Sequence, residues 1–349
     1  MIPHSRPQLT EQDIAAVNDA LRCGHLAQGE EVAKLEEFAS KMFNGAYAIA
    51  VSSGTAAIYL SLTALGVDSS HTVVIPSYTC NSLFSAVRFT GAKAVCADIS
   101  EQSVNVSETT IGSVLPKGNC AAIIPHTCGY EANIAQIRAL DIPIIEDCAQ
   151  AFGGYGDNGR PLGTNGDIGI FSFYATKLVP AGEGGMCVTM NSALADTIRR
   201  LRNCDQRAPN PRAFNFKMSD ISAALALSGL NRLSQTLKRR SEIAAGYDAV
   251  VSTQSFRHTS ASPQQVCFRY LVNTGEHADE FIASAESNGI QCRKPVWRPL
   301  HHAIGGNCPN TDTTYRDLVS VPVYPDLKEH ELAAIHRFLS DKNAKINIT

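Results

Sequence analysis

The sequence predicts an α/β protein built on a mostly parallel, helix-covered sheet, with a second, smaller α/β region after it. Three observations carry that prediction. From Tyr47 to about Thr189, short apolar runs of strand composition alternate with helical patterns, the rhythm of βαβ units. The run from Tyr47 to Val51 passes through Ser-Gly-Thr straight into an apolar helical stretch ending near Leu62. A third apolar strand, Ile168 to Phe173, delivers Ser172 and Lys177 to its exit and returns through the glycine-rich Gly182-Glu-Gly-Gly185.

In chain order, Gln8 to Leu21 has a threonine cap and an apolar stripe at helical spacing, and Gly29 precedes a second helical pattern from Glu31 to Ala39. Strands are expected at Tyr47, Thr72 to Pro76, Ala94 to Ala97, Cys120 to Pro125 and the run starting at Pro143. Helices are expected across Ser82 to Thr90 and near Asn133 to Leu140. Ser192 to Cys204 reads as a helix, Arg207 to Arg212 as a basic, proline-containing loop, and Asp220 to about Val250 as one long helical stretch. The last block mixes strand signals (Val266 to Val272, Val321 to Val323) with helical ones (Glu280 to Asn288, Lys328 to Leu339), ahead of a polar tail from Asp341 to Thr349 expected to fray. The expected division is a large region over residues 1–240 and a small one over 241–349.

Bulk numbers narrow the function. At 349 residues the chain can bury a large core. A formal charge of −3 gives no reason to expect nucleic acid or an anionic membrane as partner. No apolar run approaches a membrane span and the first residues lack a signal-peptide core, so a cytoplasmic location is expected. The eleven cysteines are odd in number, scattered, and often inside apolar strands, which suits reduced core residues better than a disulfide frame. No Cys-x-x-Cys pair appears and His126-Thr-Cys128 has no second ligand pair, so no structural metal is expected.

The chemistry lies at strand ends. In parallel sheets ligands collect at the carboxyl ends of strands, so the acids closing Pro143-Ile-Ile-Glu-Asp147 and the amine of Lys177 are placed to meet in one crevice. Pyridoxal phosphate needs both, a lysine for its Schiff base and a carboxylate to keep the pyridine nitrogen protonated. It also needs an anion cradle, and Gly54 and Thr55 at a helix start provide free amides and a hydroxyl. Taken singly these are a surface lysine, a helix cap at Asp147 and a helix cap with no ligand at Ser-Gly-Thr. On spacing alone Glu146 competes with Asp147.

Together the segments resemble the DegT-type sugar aminotransferases, a branch of the fold type I pyridoxal-phosphate enzymes. The resemblance rests on Val51-Ser-Ser-Gly-Thr-Ala56, Pro76-Ser-Tyr-Thr79, Gly91 to Asp98, Ile145-Glu-Asp-Cys-Ala-Gln150, Gly166 to Phe173, Lys177 and Gly182 to Gly185, and it extends to about Leu339. It implies a seven-stranded-type large-domain sheet, an N-terminal arm over residues 1–30 packing on the small domain, and pyridoxal 5'-phosphate as cofactor. It selects Asp147 for the pyridinium nitrogen, Lys177 for the Schiff base, Gly54, Thr55 and Ser172 for the phosphate, and Gln150 beside the ring. Asn215 is implied to reach the phosphate of the neighbouring subunit, hence a homodimer with shared active sites. Cys80 departs from the pattern, standing where an aromatic residue usually stacks on the ring; Tyr78 and His126 are the candidate replacements. His126 is a candidate on the substrate side, and Arg298-Pro-Leu-His301 resembles a family segment of the small domain near the substrate, which makes His301 another. The expected reaction moves an amine from an amino acid, L-glutamate by family habit, to a keto-sugar on a nucleotide. The rival expectations are another pyridoxal-phosphate reaction, such as elimination, deoxygenation or racemisation, and a regulatory protein on the same scaffold.

Overall fold

The computed structural model describes residues 1–205, 210–251, 266–275 and 277–346. Part of the expected basic loop (206–209) and the end of the expected tail (347–349) lie outside the described residues.

Seven strands form the main sheet: β1 (Tyr47–Val51), β2 (Thr72–Pro76), β3 (Lys93–Ala97), β4 (Cys120–Pro125), β5 (Ile144–Asp147), β6 (Ile168–Ser172) and β7 (Gly185–Thr189). Their order is β1-β7-β6-β5-β4-β2-β3. Pairs from β3 through β6 are parallel, while β7 runs antiparallel to both β6 and β1. The reversal follows from the connection: the segment 173–184 has no crossover helix, so the chain can only turn back beside β6. That return carries Lys177.

Strand periodicity sorts side chains to two helical layers. Ile49 and Val51 of β1 and Cys187 of β7 join a core with Ile58, Leu60 and Leu62 of the helix Gly54–Ala64. Ala48, Ala50, Met186 and Val188 face the other way, into a core with Leu35 of the helix Glu30–Met42 and Ala223 and Leu230 of the helix Asp220–Asn231. Burial on both faces is what a near-continuous apolar strand requires.

After the sheet, the expected single helix over 220–250 breaks at Arg232 into Asp220–Asn231 and Leu233–Asp248. The Arg232 guanidinium bonds back to Ser228 and pairs with the buried Asp13. A two-stranded antiparallel ribbon follows, β8 (Tyr270–Asn273) with β9 (Leu318–Val321). β8 starts later than expected: ahead of it Val266 and Phe268 pack into the core with Leu35 and Leu230, while Cys267 turns to the ribbon's core. β9 stops at Val321 because Pro322 has no amide to continue the ladder. The ribbon's core holds Ile243, Tyr247, Phe281, Ile335 and Phe338. The helix Glu329–Ile346 runs through most of the expected tail.

The first residues join this second core. Ile2 bridges Ile290 in parallel and exchanges backbone hydrogen bonds with Gly289 and Gln291 (2.7 and 2.9 Å). The helix Glu11–Cys23 lies along Asp220–Asn231, fixed by the Asp13–Arg232 pair. Among the described residues no helix is long and apolar enough to cross a membrane.

Candidate active site

β5 ends in two buried carboxylates whose surroundings differ completely. Glu146 accepts the amides of Gly163, Asn165 and Gly166 (2.6, 2.8 and 2.9 Å) and meets His126 Nε2 at 2.9 Å. Burial pushes its pKa up, but His126 and those amides outweigh burial and hold it below the ordinary value. Among the described residues the Asp147 carboxylate accepts only the Ala149 amide, at 2.9 Å. Burial raises its pKa, against the pull of that amide and of Lys177. Glu146 is thus consumed by structure and Asp147 faces the ligand side.

Lys177 sits in the return loop, its amide donating to the Tyr174 carbonyl at 2.8 Å. Its Nζ lies 5.4 Å from the Phe268 ring centroid. Burial lowers its pKa, the nearby Arg269 guanidinium adds to that, and Asp147 opposes it. A lysine so placed gives up its proton more readily than one in water.

Two cavities of about 370 Å³ each meet at Cys80, Asp147, Ala149 and Lys177. The first ends at Ser53, Gly54, Thr55 and Ser172. There Ser53 caps the helix Gly54–Ala64 through its hydroxyl to the Ala56 amide (3.0 Å), leaving the amides of Gly54 and Thr55 at a helix start. A Cβ on Gly54 would come within 3.0 Å of Ser172 Cβ, so glycine is what lets the helix approach the serine. Amides, two hydroxyls and a helix N-terminus make an anion cradle.

The second cavity runs past Gln150, Thr127 and Cys128 to a rim made by Pro295 to Leu300. Gln150 is oriented by the Cys128 amide, which donates to its Oε1 at 2.6 Å. On the rim Trp297, the chain's single tryptophan, is 92% exposed, and Arg298 stands beside it.

Several sequence candidates change role. His126 touches the cavity wall, but its Nδ1 accepts the Ala132 amide (2.9 Å), so the ring is neutral and Nε2–H donates to Glu146. With both nitrogens engaged it has no hydrogen bond left for a substrate. His301 is buried off the cavity, its Nδ1 2.5 Å from Ser77 Oγ and its Nε2 3.3 Å from Asp312. Tyr78 does not replace the missing aromatic, because it is fully buried among Ile99, Val104 and Leu271. Cys80 itself is exposed at the N-cap of the helix Asn81–Thr90, on the wall both cavities share. Asn215 is exposed, flanked by Phe214 and Phe216, and lines neither cavity. Trp297 on the rim, and Tyr174, Thr176 and Glu183 in the first cavity, escape the strand-end reading; for the rim the sequence signal is the segment Arg298-Pro-Leu-His301, of which Arg298, Pro299 and Leu300 line the cavity and His301 does not.

The sequence profile of the DegT/DnrJ/EryC1/StrS aminotransferase family matches residues 7–340. The chain belongs to that family. It is a pyridoxal-phosphate-dependent aminotransferase of fold type I. Solved structures agree on the fold. The aminotransferase TlmJ from Streptoalloteichus hindustanus is 24% identical over 99% of this chain and 100% of its own, with a TM-score of 0.90. A DegT DnrJ EryC1 StrS aminotransferase from Brucella abortus is 25% identical over 95% of each chain, with a TM-score of 0.85. DesI, solved in the presence of its TDP-sugar product, is 23% identical over 99% of this chain and 95% of its own, with a TM-score of 0.88.

The residues present fit the cofactor: the cradle opened by Gly54 suits its phosphate, and a carboxylate and a readily deprotonated amine stand within the same paired cavities.

Proposed function

We propose that this aminotransferase moves the amine of an amino acid, L-glutamate, to a ketone carbon of a sugar carried on a nucleotide. The observation that carries the reading is the pair of cavities meeting at Lys177 and Asp147, one closed by an anion cradle and the other open beneath Trp297 and Arg298.

Bound pyridoxal phosphate supplies an electron sink for the substrate carbon that loses its proton. Asp147 keeps the ring nitrogen protonated, its raised pKa being offset once a cation lies against it. Lys177 would hold the cofactor, and its Nζ would move the proton at the substrate carbon; its lowered pKa favours the free base this needs. Gly54, Thr55 and Ser172 would bind the phosphate, Gln150 would lie beside the ring, and Cys80 would offer a small polarizable contact in place of an aromatic plane. On the open side the Trp297 face suits a nucleobase and the Arg298 guanidinium a diphosphate. The product-bound DesI structure supports a nucleotide-linked acceptor.

The same reading includes a cytoplasmic homodimer in which Asn215 serves the other subunit's phosphate, and a small domain over 241–349 behind the open cavity. Phe89 (58% exposed) and Phe214 (41% exposed) form an aromatic surface next to Asn215, which supports a face made to be covered.

The test is an absorbance spectrum of the purified protein before and after excess L-glutamate, beside Lys177→Ala. The expected outcome is a visible band that glutamate converts to a near-ultraviolet one, a cycle the variant cannot complete. A visible band indifferent to glutamate would remove glutamate as donor, and a protein that takes up no pyridoxal phosphate would overturn the assignment of these residues.

A further inference from the structure

Beside the open cavity, outside its lining, three metal-ligating side chains converge. His301 and His302 begin the short helix His301–Ile304, and Asp312 stands on the helix Pro309–Asp317. The Nε2 atoms of both histidines point at the same oxygen, Asp312 Oδ1, at 3.3 and 2.7 Å. Their rings lie 4.3 Å apart at 63°, and the three ligand atoms fall within 4.8 Å of one another. A tetrahedral ion with bonds of about 2.0–2.1 Å spaces its ligands roughly 3.3 Å apart, so small side-chain shifts bring these atoms to bonding distance.

The surroundings fix the ligands as a metal site's second layer does. His301 is buried, and its remaining nitrogen, Nδ1, is held by Ser77 Oγ at 2.5 Å, which orients Nε2 outward. Asp98 accepts the amides of Asn310 and Thr311 (2.9 and 2.8 Å) and the Thr311 hydroxyl (2.7 Å), setting the helix that carries Asp312. Two neutral imidazoles and one carboxylate leave a net negative charge for a cation. Imidazole ligands favour zinc and its neighbours over magnesium or calcium.

We propose that His301, His302 and Asp312 form a binding site for a divalent transition ion of the zinc class, with water completing the coordination. With the ion on Nε2, His301 carries its proton on Nδ1 and donates to Ser77. The ion then ties the helix His301–Ile304, whose Ala303 lines the open cavity, to the helix Pro309–Asp317. Ser77 leads to Thr79 and Cys80 and accepts the Leu300 amide on its carbonyl (2.9 Å), while Arg298 donates to the His302 carbonyl (3.4 Å). The site is a strut for the rim, outside the reacting atoms, and does not depend on which sugar or donor the enzyme uses.

The experiment uses the full chain loaded with pyridoxal phosphate and stripped of metal, in a Cys23→Ser/Cys204→Ser background to remove exposed thiols that lie elsewhere. Zinc is titrated against a chromophoric chelator, and cobalt(II) is followed by its visible spectrum. The expected result is a single equivalent of zinc bound at roughly micromolar free metal. Cobalt should give tetrahedral bands without a thiolate charge-transfer band. Asp312→Asn and His302→Ala alter exposed side chains and should keep the parent's melting temperature without metal, yet weaken zinc binding at least about tenfold; Ser77→Ala, acting through His301, should weaken it roughly 10–100-fold. Stoichiometric binding that persists in Asp312→Asn and His302→Ala, a cobalt–thiolate band, or no binding up to about 100 micromolar zinc would each overturn the proposal.

Discussion

Glu146 and Asp147 are neighbours in sequence with opposite duties, and the difference is set by how many donors each meets. Glu146 receives three amides and an imidazole N–H. Glu146→Gln puts an NH2 group among those donors and removes the charge they were arranged around. A loss of roughly 3 kcal/mol in a urea melt is expected. Asp147→Asn keeps an acceptor for the Ala149 amide and removes a carboxylate that burial disfavours, so the cofactor-free variant should unfold no earlier than the parent while losing amine transfer. The pH dependence has opposite signs at the two sites. The folded pKa of Glu146 is lowered, so its contribution is complete above the ordinary value of 4.5 and is lost as the pH falls through the folded value. That of Asp147 is raised, so its contribution is present below 3.8 and disappears as the pH rises through the folded value. Comparing acid melts of the two variants with the parent separates them. Spacing alone left the two acids tied, because the tie is broken by Gly163, Asn165 and Gly166, which the sequence places in a later loop.

The elements most legible in the sequence are those with local causes. The helix Gly54–Ala64 was evident because its cap, its glycine and its apolar run are consecutive. The direction of β7 and the break at Arg232 were not, since the first depends on how a loop returns and the second on Asp13, over 200 residues away. The Gly54 position also shows what an element start contributes to the site. Gly54→Ala places a methyl 3.0 Å from Ser172 Cβ and 3.2 Å from its Oγ, in the space between cradle groups. The φ at this glycine is not left-handed, so alanine brings no backbone strain and the helix should persist. The expected outcome is a melting temperature of the cofactor-free protein close to the parent's, with pyridoxal phosphate held at least about tenfold more weakly in an equilibrium titration. An equal affinity in the variant would remove Gly54 from the cradle.

At the scale of the molecule, what the sequence shows of the site is its strand-end half. Gly54, Asp147, Ser172 and Lys177 lie in short segments that a parallel sheet gathers by rule. The rim at Trp297 and the His301–Asp312 cluster come from the far end of the chain, and His301 meets Ser77 only through tertiary packing; a resemblance marks Arg298 and His301, while nothing in the spacing announces Trp297 or Asp312. Asn215 is the remaining case, a polar residue exposed between Phe214 and Phe216 that belongs to neither cavity of its own chain. If it completes the other subunit's site, two inactive variants should repair one another. In a hybrid dimer of Lys177→Ala and Asn215→Ala, one site has lost both its lysine and its asparagine, while the other takes its lysine from the Asn215→Ala chain and its asparagine from the Lys177→Ala chain. Random reassociation makes about half the dimers hybrid with one intact site of two, so activity should recover to about a quarter of the parent's. Were Asn215 to act within its own chain, each hybrid site would carry one defect and mixing would restore nothing. Unfolding and refolding the variants together, with each refolded alone as control, distinguishes the two arrangements by activity alone.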